Sequence, residues 1–170
     1  IAQEKMGDPL AQGTTLGPMA RVDLRDELHK QVQASIAKGA RCILGGEVPD
    51  GPGCFYPPTV LTNVGPGMPA YSAELFGPVA VIISAKDEAD AVRIANDSSF
   101  GLGGAVFTQD LARGERLAAE EIHSGAVFVN QSAAFSDFHG TGANPAANAA
   151  LTDAAFVASR FRVVQHRAHL

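Results

Sequence analysis

The stretch Ser72-Ala73-Glu74-Leu75-Phe76-Gly77-Pro78-Val79 leads into the apolar run 80–83 and marks the entrance to a buried strand. Glycine permits backbone angles closed to other residues, and proline fixes φ and removes a donor, so the Gly-Pro pair predicts a sharp break before the strand. In an extended segment, Glu74 and Phe76 point to the same side. A carboxylate beside an aromatic ring suits a polar ligand with a flat part. The alternative is a loop acid at a turn, with Phe76 in the core.

The composition indicates a globular chain of about one domain. Of its 170 residues, 46% are hydrophobic and only 18% are charged, which allows a sizeable core and argues against disorder. The formal net charge is -5, the basic residues are scattered, and no apolar run approaches the length of a membrane span. We therefore expect no binding to nucleic acid and no insertion into a membrane.

The two cysteines, Cys42 and Cys54, lie outside any CxxC or catalytic signature. Cys42 sits in an apolar strand pattern and Cys54 in a loop rich in glycine and proline, so neither is predicted to be a nucleophile. The low cysteine count and the lack of a signal-peptide pattern favour the cytoplasm. A start at Ile1, in the middle of a pattern, suggests a piece of a longer chain. The histidines lack a third ligand at a useful spacing, so no metal site is predicted.

The hydrophobic periodicity predicts helices that alternate with strands. The clearest helix, 21–38, repeats Leu24, Leu28, Val32 and Ile36 at four-residue intervals. The other predicted helices are 87–96, 111–122 (with Asp110 as N-cap) and 149–159, and the predicted strands are 41–44, 59–62, 79–84, 105–107, 126–129 and 160–165. This alternation predicts an α/β fold with a mostly parallel sheet flanked by helices. The last strand, rich in Arg and Val, is either an edge or a strand that awaits a partner.

Seven motifs in the right order carry a resemblance to a known family. They are Gly7-Asp8-Pro9 with Leu16-Gly17-Pro18-Met19, Lys38-Gly39-Ala40 with Gly45-Gly46, Phe55-Tyr56-Pro57-Pro58-Thr59-Val60-Leu61, the Glu74 stretch, Ala95-Asn96 through Phe100-Gly101-Leu102, Phe107-Thr108-Gln109-Asp110, and Gly125 to Asn130. Together they resemble the NAD(P)-dependent aldehyde dehydrogenase superfamily, over about three quarters of the chain. The body is similar to the succinic-semialdehyde branch.

The resemblance implies roles for a few residues. Glu74 would accept hydrogen bonds from the hydroxyls of the nicotinamide-side ribose, and Phe76 would pack beside the nicotinamide ring of NAD or NADP. Asn130 lies where the substrate-pocket loop of the family begins; the alternative is a cap at the strand end. Phe135 and Phe138 lie beyond the segment that carries the resemblance. Their aromatic rings are interpreted as the lining of an aromatic substrate pocket; the alternative is ordinary core packing.

The family's nucleophilic cysteine, its general base and its cofactor-binding fold lie upstream of the segment that this chain matches. The resemblance therefore implies the C-terminal part of an enzyme that oxidises an aldehyde to a carboxylic acid through a thiohemiacetal on an upstream cysteine. No catalytic residue is assigned, and the chain alone is expected to be inactive. Residues 1–159 are interpreted as the C-terminal part of the catalytic domain. Residues 160–170 are interpreted as a terminal oligomerisation strand and tail.

The predicted partners are an aldehyde, the remainder of the enzyme, and other subunits in a homo-oligomer. After Asn130 the chain departs from the family's usual Phe-Gly-Gly-x-Lys-x-Ser-Gly segment, and its tail resembles more weakly the aldehyde dehydrogenases of phenylacetate degradation. Two other classes stay open. One is a non-catalytic structural or oligomerisation module derived from the same fold, and the other is an unrelated small α/β enzyme.

Overall fold

The computed structural model describes residues 1–131 and the strand segments 155–158 and 162–166. The chain divides into two compact units, Ile1–Ile82 and Ile83–Leu170. Helices and strands occur in both, so the predicted α/β class is confirmed. Within the described part of the chain, no helix has the length and hydrophobicity needed to cross a membrane.

The first unit builds its strands around one long helix. Its elements are α1 (Val22–Ala37), β1 (Arg41–Leu44), β2 (Thr59–Thr62), α2 (Pro69–Ser72) and the start of β3 (Val79–Ala85). β1 pairs antiparallel with β2, and β2 pairs parallel with β3. The predicted bounds of these three strands are therefore correct to within one residue.

The buried stripe of α1 differs from the predicted one. Leu28 and Val32 are 1% and 0% exposed, but Leu24 is 40% exposed and Ser35, rather than Ile36, completes the buried face. Positions i, i+4 and i+7 follow the helical period more closely than four-residue steps do. The Ser35 hydroxyl donates to the Gln31 carbonyl oxygen at 2.8 Å and accepts from the Ala70 amide at 2.9 Å. A buried serine therefore ties α1 to the start of α2.

The second unit contains α3 (Glu88–Asn96), β4 (Gly104–Phe107), α4 (Leu111–Arg116), β5 (Val127–Val129), β6 (Ala155–Ala158) and β7 (Arg162–His166). β4 pairs parallel with β5 and antiparallel with β6, and β6 pairs antiparallel with β7. Of the five pairings described in the two units, two are parallel. The sheet pairing is therefore mixed. The strands that pair in parallel are those that a helix connects along the chain.

The structure corrects one predicted element at the end of the chain. Residues 155–158, within the predicted helix 149–159, form strand β6, and the rest of that helix lies outside the described residues. Phe156 and Val157 are of types that favour strands, and the long-range pairing of β6 with β4 overrides the helical tendency of the alanines around them. The terminal strand is confirmed as β7, and the edge that faces β6 is satisfied inside the chain.

The predicted helix 111–122 consists of α4 followed by a π-helical turn, Leu117–Glu121, in which the Ile122 amide donates to the Leu117 carbonyl oxygen. Asn96, the last residue of α3, holds this turn. Its Nδ2 donates to the Glu121 carbonyl oxygen at 2.7 Å, and its Oδ1 accepts from the His123 amide at 2.8 Å. The Asp110 side chain accepts from the Arg113 amide at 3.0 Å, which confirms the predicted N-cap.

Candidate functional site

The Glu74 loop, residues 74–78, connects α2 to β3 through two tight turns. The Gly77 amide donates to the Leu75 carbonyl oxygen at 2.9 Å, and the Val79 amide donates to the Gly77 carbonyl oxygen at 2.8 Å. The Pro78 carbonyl oxygen accepts from the Thr59 amide at 2.8 Å, which joins the end of the loop to β2. The predicted break at Gly77-Pro78 is therefore confirmed, and the loop has a defined backbone path.

The two predicted cofactor contacts differ in exposure. Glu74 is half-buried, and its Oε1 atom is shielded from solvent. The Phe76 side chain is 58% exposed, so it is not a core residue of this chain. A carboxylate held inside the loop and a ring that presents its surface to solvent are chemically suited to hydroxyl groups and to a flat ring, respectively.

Glycine is required at position 77 because a side chain would not fit there, and not because of the backbone angle. It is absent from the residues with positive φ, but a Cβ atom at this position would overlap Cδ2 of Leu28 and lie 3.3 Å from Cε of Met19. Leu28 is almost completely buried in α1, so the loop rests directly on a core side chain. The motif indicated a turn at Gly77 but gave no sign of this contact.

Asn130 occupies the end of β5 in the left-handed region, with φ of 55°. Its Oδ1 accepts from the Thr108 amide, and its Nδ2 donates to the Thr108 carbonyl oxygen, both at 2.8 Å. The side-chain amide thus imitates one more residue of the β4–β5 ladder, which is the geometry of a strand-end cap. An amide oxygen accepts two bonds and an amide nitrogen donates two, so half of its capacity is used by Thr108.

The remaining predicted residues add no catalytic group. Phe135 and Phe138 lie outside the described residues. The Cys42 thiol donates to the Leu44 carbonyl oxygen at 3.2 Å, a role that a thiolate nucleophile could not fill. No group of three metal-ligating side chains occurs among the described residues.

Sequence reasoning missed a groove in the second unit. It has a volume of about 370 Å³ and lies between the π-helical turn and β5. Its lining is mainly alanine, valine and isoleucine, with Glu115 and Ser124 as its polar side chains. Among the described residues of the second unit, the predicted site residue Asn130 does not line this groove.

Comparison with known proteins gives the context of these features. The model of the aldehyde dehydrogenase family matches residues 1–144. The chain is 54% identical over 126 residues to succinate semialdehyde dehydrogenase [NAD(P)+] Sad of Escherichia coli (strain K12), a match that covers 74% of this chain and 27% of that protein. It is 50% identical over 124 residues to succinate-semialdehyde dehydrogenase [NADP(+)] of Deinococcus radiodurans, covering 73% and 26%.

Solved structures agree with these relatives. The chain superposes on succinic semialdehyde dehydrogenase from Streptococcus pyogenes in complex with NADP+ with a TM-score of 0.73 and 34% identity, covering 77% of this chain and 29% of that one. Mycobacterium tuberculosis aldehyde dehydrogenase complexed with NAD+ gives a TM-score of 0.73 and 34% identity, covering 78% and 28%. The chain thus spans about a quarter of the length of the curated relatives named above.

Proposed function

The chain belongs to the aldehyde dehydrogenase family, and on this basis we propose that it is the C-terminal portion of an NAD(P)-dependent enzyme that oxidises an aldehyde to a carboxylic acid. The observation that carries the proposal is the Glu74 loop, which combines a half-buried carboxylate with an exposed aromatic ring. A bound nicotinamide cofactor supplies the hydride acceptor for such an oxidation. In this proposal, Glu74 and Phe76 contact the ribose and the nicotinamide ring of that cofactor.

Glu74 and Phe76 have separate tasks in this proposal. The Glu74 carboxylate accepts hydrogen bonds from the ribose hydroxyls, since an ionised carboxylate is an acceptor only. The exposed face of Phe76 packs beside the nicotinamide ring and keeps water from it. Neither residue exchanges a proton with substrate, so both bind and orient.

The bond-forming groups come from outside this chain. The proposed nucleophile is a cysteine thiolate that adds to the aldehyde carbonyl carbon and forms a thiohemiacetal. The Cys42 thiol is held as a donor to backbone and does not fill this role. The curated relatives named above are succinate-semialdehyde dehydrogenases, which makes a short aldehyde that bears a carboxylate the first substrate class to assay.

The same proposal includes a cytoplasmic location and assembly with other subunits. It also assigns Asn130, Phe135 and Phe138 to the substrate pocket. The proposed domain boundaries remain 1–159 and 160–170. The geometry of Asn130 supports an indirect role there, because its amide shapes the end of β5 through Thr108.

The test is Glu74→Gln in the full-length enzyme. This substitution keeps the size of the side chain and removes its charge. Charge-assisted hydrogen bonds contribute about 1.5–3 kcal/mol, so we expect the nucleotide KM to rise roughly tenfold or more, with a small effect on the aldehyde KM. Steady-state kinetics with NAD and with NADP measure both.

The matched control is Glu27→Gln on α1, because Glu27 is an exposed glutamate of the same unit. It should leave the nucleotide KM unchanged. If Glu74→Gln left both the nucleotide KM and the hydride-transfer rate unchanged, the cofactor role of the loop would be wrong.

A further inference from the structure

We propose that Leu28 is a positioning residue for the cofactor contacts of the Glu74 loop and acts through its direct packing against Gly77. This inference rests on the proposed function, because it assigns Leu28 a task only if Glu74 and Phe76 bind the cofactor. It concerns a residue in the middle of α1 that none of the seven motifs contains.

The Leu28 side chain leaves no room for a side chain on residue 77. A Cβ atom on residue 77 would overlap Cδ2 of Leu28, and the Met19 side chain closes the same space at 3.3 and 3.4 Å from that Cβ position. Leu28 is 1% exposed and cannot swing into solvent. Any group larger than hydrogen on residue 77 must therefore displace the loop or the core side chain beneath it.

The loop transmits such a displacement because both of its ends are fixed. On one side, α2 is tied to α1 by the 2.9 Å bond between the Ala70 amide and Ser35 Oγ. On the other side, Pro78 is tied to β2 through the Thr59 amide at 2.8 Å. These two ties restrain the chain on either side of the loop, and the Gly77–Leu75 bond couples a lift at Gly77 to the residues on either side of Leu75. Those residues are Glu74 and Phe76.

The experiment is a double-mutant cycle that adds a methyl group at position 77 and shortens the side chain at position 28. In the full-length enzyme, Gly77→Ala should raise the dissociation constant for NAD(P)+ about tenfold, because a binding group displaced by a fraction of an ångström loses most of its directed contacts. Leu28→Ala alone should raise it about threefold, because the loop loses its support. The double variant should return to within about threefold of the wild type, since the new methyl group occupies the vacated space.

Two measurements separate positioning from a general loss of stability. Isothermal titration gives the nucleotide dissociation constant without turnover. Backbone amide chemical shifts of residues 74–76, recorded on this chain without ligand, should move in Gly77→Ala and return in the double variant. The aldehyde KM of the full-length enzyme should stay within about twofold throughout.

The control is Val32→Ala, one turn further along the same buried face of α1 and 0% exposed. The substitution shortens a core side chain, and no atom of Val32 is among those nearest to a Cβ position at residue 77. We expect it to lower the unfolding midpoint without changing nucleotide affinity, and to give no rescue of Gly77→Ala. Rescue by Val32→Ala equal to that by Leu28→Ala would overturn the inference.

The remaining outcomes distinguish the two proposals. If Glu74→Gln weakens nucleotide binding and Gly77→Ala does not, the inference is wrong and the proposed function stands. If neither variant changes the dissociation constant, the cofactor role of the loop is wrong and the inference fails with it. Should Gly77→Ala not fold, Leu28→Ala carries the test, and unchanged nucleotide affinity in that folded variant overturns the inference.

Discussion

Asn130 shows how one side chain can resemble a ligand contact and yet complete a strand. Its φ of 55° is unfavourable for most residues but accessible to asparagine, and its amide exchanges two 2.8 Å bonds with the backbone of Thr108. The motif that contains it predicted either a substrate contact or a cap. A side-chain amide has the same donor and acceptor as a peptide group, so the sequence pattern alone cannot separate these two uses.

Asn130→Gly tests the cap at the residue scale. Glycine keeps the left-handed backbone without strain, so the substitution isolates the two lost hydrogen bonds and the buried groups of Thr108 that they satisfied. We expect the free energy of unfolding to fall by roughly 1–3 kcal/mol, measured by urea denaturation of this chain.

Asn63→Gly is the matched control. Asn63 has the same φ of 55° but is exposed, and its Nδ2 donates to the Gly39 carbonyl oxygen at 2.8 Å. The loss of this hydrogen bond should lower the free energy of unfolding by less than about 1 kcal/mol. Equal effects of the two glycine substitutions would contradict the larger contribution assigned to the Thr108 contacts.

At the scale of elements, α4 is held closely against its neighbouring strands. Gly114 in the middle of α4 is buried, and a Cβ atom there would lie 2.7 Å from Thr108 Cγ2 and 2.8 Å from Val129 Cγ1. Glycine inside a helix is intrinsically unfavourable by about 1 kcal/mol relative to alanine. Close approach to Thr108 and Val129 explains why it is present.

Gly114→Ala should therefore destabilise the chain although it raises helix propensity. Overpacking typically costs 1–3 kcal/mol, which exceeds the gain of about 1 kcal/mol from alanine, so we expect a net loss of up to roughly 2 kcal/mol in urea denaturation. Gly65→Ala is the control, because nothing lies within 4 Å of its Cβ position and its φ is not positive. A stabilising effect of Gly114→Ala would contradict this account of the packing.

Elements defined by local signals were predicted well, and those defined by distant partners were not. Asp110 lies next to the helix that it caps, and the strand β3 follows directly from its Gly-Pro break. The alanine-rich segment before residue 159 has helical propensity, but residues 155–158 pair with β4, which lies far away in the chain. Propensity is a local quantity and contains no information on that partner.

At the scale of the whole molecule, the chain spans about a quarter of its curated relatives. The described residues include the Glu74 loop, the proposed cofactor contact, but no group of three metal ligands, and the Cys42 thiol serves as a donor to backbone. Most of the chemistry of the proposed oxidation would therefore come from residues outside this chain. The alternative of a non-catalytic structural module also predicts an inactive isolated chain, but it does not predict activity in a longer polypeptide.

We expect the isolated chain to produce no NAD(P)H above background with succinate semialdehyde or other aldehydes, measured by absorbance. The positive control is the full-length enzyme under the same conditions. Light scattering on the same sample reports the assembly state, and a strict monomer at high concentration would contradict the proposed self-association. Appreciable turnover by the isolated chain would contradict the assignment of the nucleophile to another part of the enzyme.

The sequence by itself determined the family, the α/β class, the break at Gly77-Pro78 and the order of the elements through β5 except the short helix α2, because these depend on motifs and periodicities that are read locally. Only the tertiary structure decided which strands pair antiparallel with β6 and that Ser35 belongs to the buried face of α1. It also decided the hydrogen bonds between Asn130 and Thr108 and the packing of Gly77 against Leu28. Each of these depends on a partner distant in sequence. Close packing and the satisfaction of buried polar groups select such partners, and neither is expressed in a local pattern.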